Sequence, residues 1–279
     1  MEHVGSFFDH ILNMNQEDLR DTAVGAFNNL LRERGRMFPN SVLRDWEGVD
    51  ITWSGTKTRY LNAAVRVREV KTDSQLEESL IYAKGQFDEL DDHRIGGKFV
   101  FEMSPLLEQG ISEESIKETI MKYEFEVEFL TTMVRCGGAF ENIDNKDLKI
   151  KRVETAEHLA QLCRVFDPKD TTDWSYPMDY WRSLYSFLGI VDGKVVTTAT
   201  AQLYQGKVFL STVGTHPDHR KRGYASAISQ IALQSAIHAS GSQIGLLHAT
   251  QMSKSVYEKI GFKKIGTLGI ATYKPQSAM

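Results

Sequence analysis

Apolar positions along the second half of the chain alternate between the spacing of strands and the spacing of helices. Runs of β-branched and aromatic residues predict strands, and apolar residues three or four positions apart predict helices. The predicted strands are Leu148–Val153, Leu188–Val191, Val195–Leu203, Lys207–Thr215, Gln243–Ala249 and closing strands within Phe262–Tyr273. The predicted helices are Thr155–Phe166, Tyr176–Phe187, Tyr224–Ser240 and Ser253–Ile260. This order predicts a mixed α/β fold with three antiparallel strands, joined by hairpin turns at Asp192-Gly193 and Gln205-Gly206.

The first half shows a similar mixture and carries less recognisable chemistry. Its predicted helices are Gln16–Arg34, Ser74–Leu90 and Ser112–Tyr123, and its predicted strands are Asp50–Trp53, Leu61–Val67, Lys98–Met103 and Glu124–Val134. The Gly137-Gly138 pair and the polar stretch Glu141–Lys146 are typical of a boundary between domains. We therefore expect an amino-terminal lobe over residues 1–143 and a second domain over residues 144–279.

Composition narrows the function classes. The 279 residues can form two domains that each bury a core, and a net charge of −4 with a pI of about 6.1 argues against a general nucleic-acid binder. The two cysteines, Cys136 and Cys163, are too few for a disulfide framework or a zinc or iron–sulfur cluster, so we expect no metal and a reducing, cytoplasmic setting. We also expect no secretion signal and no membrane span.

One basic turn stands between a predicted strand and a long predicted helix. Arg220, Lys221 and Arg222 precede Gly223 there, directly before the helix that begins at Tyr224. The first N–H groups of a helix have no intrahelical partner and carry partial positive charge, so they bind phosphate. The turn therefore suits a diphosphate. On these residues alone, a solvated basic loop and a short nucleic-acid patch remain alternatives.

Two strings resemble a known family. Arg220-Lys221-Arg222-Gly223-Tyr224-Ala225 matches the R/Q-x-x-G-x-G/A signature of the GNAT superfamily of CoA-dependent N-acyltransferases, and Val256-Tyr257-Glu258-Lys259-Ile260-Gly261-Phe262 resembles its L-Y-E-K-x-G-F element. The resemblance covers residues 147–279 and implies a GNAT acyl-CoA acyltransferase fold. The first half has a fainter likeness that implies a degenerate GNAT-like lobe without its own CoA site, with an unrelated α+β module as the alternative.

The resemblance also implies a site for acetyl-CoA. The main chain of the strand before the signature would pair with the pantetheine arm, at a bulge where that strand diverges from its neighbour. The signature would bind the pyrophosphate. The implied cofactor-binding residues are Val213, Gly214, Thr215, Arg220, Lys221, Arg222, Gly223, Tyr224, Ala225 and Ser226.

The implied catalytic residue is Tyr257, the position of the family's tyrosine. Acyl transfer from a thioester to an amine releases a thiolate, which benefits from a proton donor. A phenol is neutral at pH 7 and can hydrogen-bond to sulfur. A tyrosine in a short helix is also often a core residue, and that alternative stays open here.

The sequence does not identify a general base. Many relatives use a glutamate on the central strands, but no acidic residue lies between Val195 and Thr215. His216 and Asp218 lie where the chain turns towards the phosphates, which favours a loop role. His248 has an ordinary pKa suited to proton transfer, although a core position is the alternative. The amine could also bind already neutral or use ordered water.

The sequence also does not identify the acceptor of the acyl group. An aromatic stretch, Trp174, Tyr176, Tyr180, Trp181 and Tyr185, would favour an apolar or aromatic acceptor if it faces the pocket, although such spacing is often core. The amino-terminal lobe could close over the same cleft. We expect transfer of a short acyl group to an amine of a small molecule or protein, with no nucleic-acid or membrane partner and an undetermined oligomeric state. The alternative is a non-catalytic protein that binds acyl-CoA or a partner.

Overall fold

The computed structural model describes residues 16–55, 62–90, 96–137, 140, 145–166 and 178–274. Within these residues the helices are α1 Gln16–Arg36, α2 Asp73–Leu90, α3 Ser104–Glu108, α4 Glu113–Lys122, α5 Ala156–Phe166, α6 Met178–Arg182, α7 Tyr224–Ser240 and α8 Lys254–Lys259. The strands are β1 Val42–Trp46, β2 Val49–Trp53, β3 Ala63–Arg66, β4 Gly97–Glu102, β5 Phe125–Cys136, β6 Lys149–Arg152, β7 Tyr185–Val191, β8 Lys194–Tyr204, β9 Lys207–Thr215, β10 Ile244–Ala249 and β11 Lys263–Tyr273.

The chain forms two compact units. The carboxy-terminal unit comprises residues 1–23 and 132–265, and the amino-terminal unit comprises residues 24–131 and 266–279. Three elements, α1, β5 and β11, each begin in one unit and end in the other. The boundary predicted between residues 143 and 144 lies outside the described residues and stays a prediction.

The amino-terminal unit is a mixed sheet with the strand order β1-β2-β3-β4-β11-β5. The strands β3 and β4 are parallel, and β11 pairs antiparallel with β4. Alternate residues of β3 point to opposite faces, so Ala64 joins the core beneath α2 and α4, whereas Ala63 and Val65 join the core that contains Val24 and Leu31 of α1. Both faces of the sheet are therefore covered.

The carboxy-terminal unit has the strand order β5-β10-β9-β8-β7-β6. From β6 to β9 neighbouring strands are antiparallel, and β9 and β10 are parallel. The helix α7 packs Ile228, Ala232 and Ala236 against the sheet. The end of α5 lies on the other face, where the main chain of Val165 and Phe166 would be 3.3 and 3.4 Å from a Cβ at Gly214. That contact leaves Gly214 little room for a side chain.

Both hairpin predictions are confirmed. Asp192 and Gly193 have φ values of +50° and +75°, and Gln205 and Gly206 have +47° and +72°. Two successive positive φ values are the geometry that two-residue hairpins prefer. The predicted bounds of β9 and α7 are also those observed.

The predicted helix Tyr176–Phe187 is correct for residues 178–182 and wrong for its last residues. The helix α6 ends at Arg182, and Tyr185 begins a strand that pairs with Ala201 of β8. The hydroxyl of Ser183 donates to the Tyr180 carbonyl and competes for a helical acceptor, so the helix ends there. The strand β1 and the helix α3 were not predicted. The predicted closing strands are a single strand, β11. No described helix has the length and apolar character needed to span a bilayer.

Candidate cofactor and catalytic site

The strand β9 contains a β-bulge close to its end. Thr200 pairs with Ser211 and Thr198 with Gly214, so Thr212 and Val213 together lie opposite the single residue Ala199. Thr212 has a φ of +51°, in the left-handed region. A bulge of this kind bends the strand and changes the direction of its main-chain groups.

The same strand separates from its parallel neighbour. Pairing between β9 and β10 runs from Val208–Gly245 to Leu210–Leu247, and residues 211–215 continue beyond the last pair. The main chain of this segment is half-buried and can therefore accept an extended ligand along the side that faced β10. The expected bulge and divergence before the basic turn are both present.

Two threonine hydroxyls of β8 fasten the bulge. Thr198 Oγ1 donates to the Thr212 carbonyl at 3.1 Å, and Thr197 Oγ1 donates to the Gly214 carbonyl at 2.7 Å. Thr197 Oγ1 also lies 2.9 Å from Thr215 Oγ1. Because the Thr197 proton is used on Gly214, Thr215 is the donor in that second contact. No pattern in the sequence predicts these contacts.

The basic turn reaches α7 through two left-handed residues. A 3₁₀ turn over Pro217–His219 follows β9, and then Lys221 has a φ of +61° and Gly223 a φ of +79°. Gly223 is the N-cap of α7 and has no side chain to satisfy the first N–H groups of the helix. The first intrahelical bond runs from Ala227 N to Gly223 O, so the amides before it remain available. This arrangement fits an anion such as a diphosphate.

The three cations of the turn are exposed, and one of them also fixes the turn. Arg220 Nε donates to the Thr215 carbonyl at 3.2 Å, which ties the turn to the end of β9. Asn145, from the stretch before β6, donates through Nδ2 to the Arg222 carbonyl at 3.0 Å. Asn145 was not predicted, because the two residues are far apart in sequence and only folding brings them together.

The remaining predicted cofactor residues fall into two groups. Tyr224 buries its side chain against Val191 and Val196, and the half-buried Val213 packs against the core that includes α7. Only their main chain can contact a ligand. Ala225 and Ser226 are half-buried in the first turn of α7, and the Ser226 hydroxyl stays a candidate for a phosphate contact.

Comparisons with known proteins agree with this geometry. Residues 187–270 match the family model of FR47-like proteins. Among solved structures, the chain is similar to a GCN5-related N-acetyltransferase from Kribbella flavida, with 15% identity over 91% of this chain and 96% of that chain and a TM-score of 0.63. The chain has the GNAT fold.

Two other structures show the same likeness. A GCN5-related N-acetyltransferase from Sphaerobacter thermophilus has 13% identity over 83% of this chain and 77% of that chain, with a TM-score of 0.56. A tandem GNAT protein from the clavulanic acid biosynthesis pathway has 10% identity over 94% of both chains, with a TM-score of 0.51. No curated protein matches the chain.

In this GNAT fold Tyr257 is a buried residue of α8. Its ring meets Phe262 edge-on, with centroids 6.1 Å apart, and its carbonyl accepts from Phe262 N at 3.0 Å. Burial raises the pKa of the phenol above its ordinary value, so Tyr257 holds its proton throughout the physiological range. The position is compatible with a proton donor and with a packing role.

Arg135 of β5 holds the end of α8. Its Nε donates to the Ile260 carbonyl at 3.0 Å, and its guanidinium lies 3.8 Å from the centroid of the Phe140 ring. A cation at a helix carboxyl terminus is favourable because the last carbonyls carry partial negative charge. Gly261, with a φ of +90°, lets the chain turn beside this guanidinium. Arg135 therefore fixes the position of the helix that carries Tyr257.

His248 of β10 is half-buried and neutral at pH 7. Burial lowers its pKa to about 4, and a main-chain hydrogen bond with Ala23 acts in the opposite direction without overcoming this. Its Nδ1 lies 3.1 Å from Thr132 Oγ1, and its ring meets Phe209 edge-on at 5.4 Å. A group with this pKa accepts a proton weakly at neutral pH. A role for His248 as general base would need the ordinary pKa, and burial in the sheet lowers that pKa because it removes the solvation of the cation.

The other two candidate bases lie on the exposed turn. His216 Nδ1 and Asp218 Oδ2 are 3.7 Å apart, with both side chains largely in solvent. They are on the turn that leads to the anion-binding end of α7, as the sequence indicated.

The aromatic stretch is only partly described. Trp174 and Tyr176 lie outside the described residues. Trp181 is fully buried, Tyr180 donates its hydroxyl to Gln202 Oε1 at 3.2 Å, and Tyr185 lies under the guanidinium of Arg152. Trp181 is therefore a core residue, and Tyr180 and Tyr185 are engaged with protein groups.

Proposed function

We propose that the protein transfers an acetyl or other short acyl group from acyl-CoA to a primary amine of a small molecule or protein. The observation that carries this proposal is the combination of the diverging, bulged end of β9 with the left-handed basic turn that opens α7. The first provides main-chain groups for an extended arm, and the second provides uncapped amides and cations for a diphosphate. This pairing of features in one continuous segment matches the two chemically distinct parts of CoA.

Two groups of residues would bind the two parts of CoA. Val213, Gly214 and Thr215 would hold the pantetheine arm through their main chain, and residues 220–226 would hold the pyrophosphate. Bound acyl-CoA would supply an acyl group activated as a thioester. Tyr257 would place its hydroxyl close to the sulfur and donate a hydrogen bond to it as negative charge develops there.

Proton removal from the amine would not need a carboxylate on the central strands. Neither β8 nor β9 carries one, and His248 is a poor acceptor with a pKa of about 4. We therefore propose that the amine enters neutral or gives its proton to solvent. Turnover would then rise with pH until the acceptor amine itself is deprotonated.

Thiol release tests the proposal. The protein is incubated with acetyl-CoA and a panel of small amines, amino acids and peptides, and free thiol is followed over time. Release that requires one of the amines is expected. In parallel, Tyr257→Phe should lower kcat by about 100-fold or more while the affinity for CoA is unchanged. An unchanged kcat across pH would leave Tyr257 with a packing role only.

The lack of an acidic residue on β8 and β9 favours a second function, the binding of acyl-CoA without catalysis. A protein that keeps the CoA site and lacks a base would bind acyl-CoA without turning it over. Calorimetric binding of CoA, combined with no thiol release for any amine, would support this function over the first. Absence of CoA binding in the wild type would contradict both.

We also propose a cytoplasmic location. The chain has only two cysteines, Cys136 and Cys163, which are too few for a disulfide framework and fit a compartment that keeps thiols reduced. Fractionation of cells that express the tagged full chain would test this.

A further inference from the structure

Thr212 has an unusual backbone for its residue type. Its φ of +51° places a β-branched side chain in the left-handed region, which such residues rarely adopt. Strain of this kind persists only where surrounding groups determine the conformation, and it is concentrated at ligand clamps and active sites. The bulge therefore needs an identifiable restraint.

The regular main-chain ladder is interrupted at the bulge. The regular register between β8 and β9 is interrupted between Thr198 and Thr200, so two residues of β9 face one residue of β8. The hydroxyls of Thr198 and Thr197 take its place by donating to the carbonyls of Thr212 and Gly214. One bond lies on each side of Val213.

The two donors are themselves immobile. Thr197 and Thr198 are fully buried, and successive residues of β8 point to opposite faces of the sheet. The bulge is thus fastened by one hydroxyl from each face. A valine would fill the same volume at either position, so packing alone does not require a hydroxyl.

We propose that Thr197 and Thr198 are positioning residues for the pantetheine-binding segment of β9. They engage the carbonyls of Thr212 and Gly214 from the β8 side, which keeps the segment in one conformation with its other edge open beyond the last β9–β10 pair. This role rests on the proposed function for its ligand. We call these two hydroxyl contacts the clamp, and their effect on the mobility of the segment can be measured without a ligand.

Amide hydrogen exchange of the full chain tests the clamp directly. Thr198→Val should speed exchange at residues 212–215 by about tenfold relative to residues 208–210, because a carbonyl loses its hydrogen bond while volume is retained. Thr198→Ser should restore slow exchange. Thr200→Val is the matched control: it is an equally buried threonine of β8, and its hydroxyl accepts from Ser186 rather than bonding to the bulge.

Binding of the two halves of CoA tests the positioning role. Thr198→Val should weaken acetyl-pantetheine by about tenfold and leave adenosine 3′,5′-bisphosphate unchanged. Asn145→Ala removes the hydrogen bond to the Arg222 carbonyl. It should weaken adenosine 3′,5′-bisphosphate and leave acetyl-pantetheine unchanged. A general loss of structure would weaken both ligands together.

The outcomes separate the proposals. Uniformly faster exchange across β8 and β9, or no change at residues 212–215, would overturn the clamp. A local change in exchange together with unaltered acetyl-pantetheine affinity would overturn the positioning role. If the wild type binds no part of CoA, the proposed function fails, and the exchange experiment still decides whether the two threonines hold the bulge.

Discussion

At the scale of single residues, backbone conformation decides which positions accept substitution. Gly223 has a φ of +79°, and a Cβ there would lie 3.8 Å from Asn145 Nδ2, an ordinary contact. The cost of a side chain at this position is therefore backbone strain rather than a clash. The sequence places Gly223 in the signature, and the structure shows that its left-handed conformation is a physical reason for a glycine there.

Gly223→Ala should destabilise the protein by about 1 kcal/mol and weaken CoA binding, because relief of the strain would shift the first amides of α7. Gly193→Ala is the matched control. It has a similar φ of +75° and open space around a Cβ, in a hairpin that is not part of the anion-binding turn. Thermal unfolding should shift alike for both variants, and calorimetry with CoA should show weaker binding for Gly223→Ala alone. Equal CoA affinity for the two would contradict the assignment.

His248 links stability to acid pH. Its pKa falls from 6.5 to about 4 on folding, so the unfolded chain binds the proton more tightly. The free energy of unfolding is therefore highest above pH 6.5 with respect to His248, and it falls by up to about 3 kcal/mol as the pH falls towards 4. His248→Gln should flatten this dependence between pH 4 and 6.5, measured by urea unfolding.

A control for His248 is the exposed His238 near the end of α7. His238→Gln should reproduce the acid sensitivity of the wild type. If His248→Gln loses as much stability on acidification as the wild type does, the buried imidazole is not the group responsible.

At the scale of elements, short helices depend on contacts from other elements. The helix α8 has six residues, which is too few for independent stability, and Arg135 holds the Ile260 carbonyl at its end. The sequence predicted this helix to within one residue at each end. It contained no sign that an arginine on β5 completes it.

Arg135→Gln should lower stability by about 2 kcal/mol, since a hydrogen bond from a charged group is lost. It should also lower kcat more than it changes CoA affinity, because the helix that carries Tyr257 loses its anchor while α7 is untouched. Arg182→Gln controls for the loss of a cation, since Arg182 is exposed and pairs only locally with Asp179. An effect on CoA affinity as large as that on kcat would contradict the specific role.

Element prediction succeeded where the signal was local. The helix α7 and the strand β9 were predicted with their observed bounds, because spacing, Pro217 and two turn glycines mark them within a few residues. Thr155, where the predicted helix begins, accepts from His158 N at 3.2 Å, the contact of an N-cap. The failure at Tyr176–Phe187 arose because aromatic residues suit helix cores and strands alike, and pairing with β8 decides between them.

At the scale of the molecule, the two units differ from the halves of the sequence. Residues 266–279 belong to the unit that contains residues 24–131. The terminal segment of β11 pairs with β4, which precedes it by more than 150 residues. Local patterns predict that a strand exists there, but they do not say which strand lies beside it.

The sequence by itself determined the local order of elements on which the proposed diphosphate site rests. A strand, a basic turn and a helix start follow one another between Lys207 and Ser226, and each is specified by neighbours along the chain. The tertiary structure decided how that segment is held. Thr198 reaches Thr212, Asn145 reaches Arg222 and Arg135 reaches Ile260 only in the folded chain. The low pKa of His248 arises in the same way, because burial depends on residues that only folding brings together.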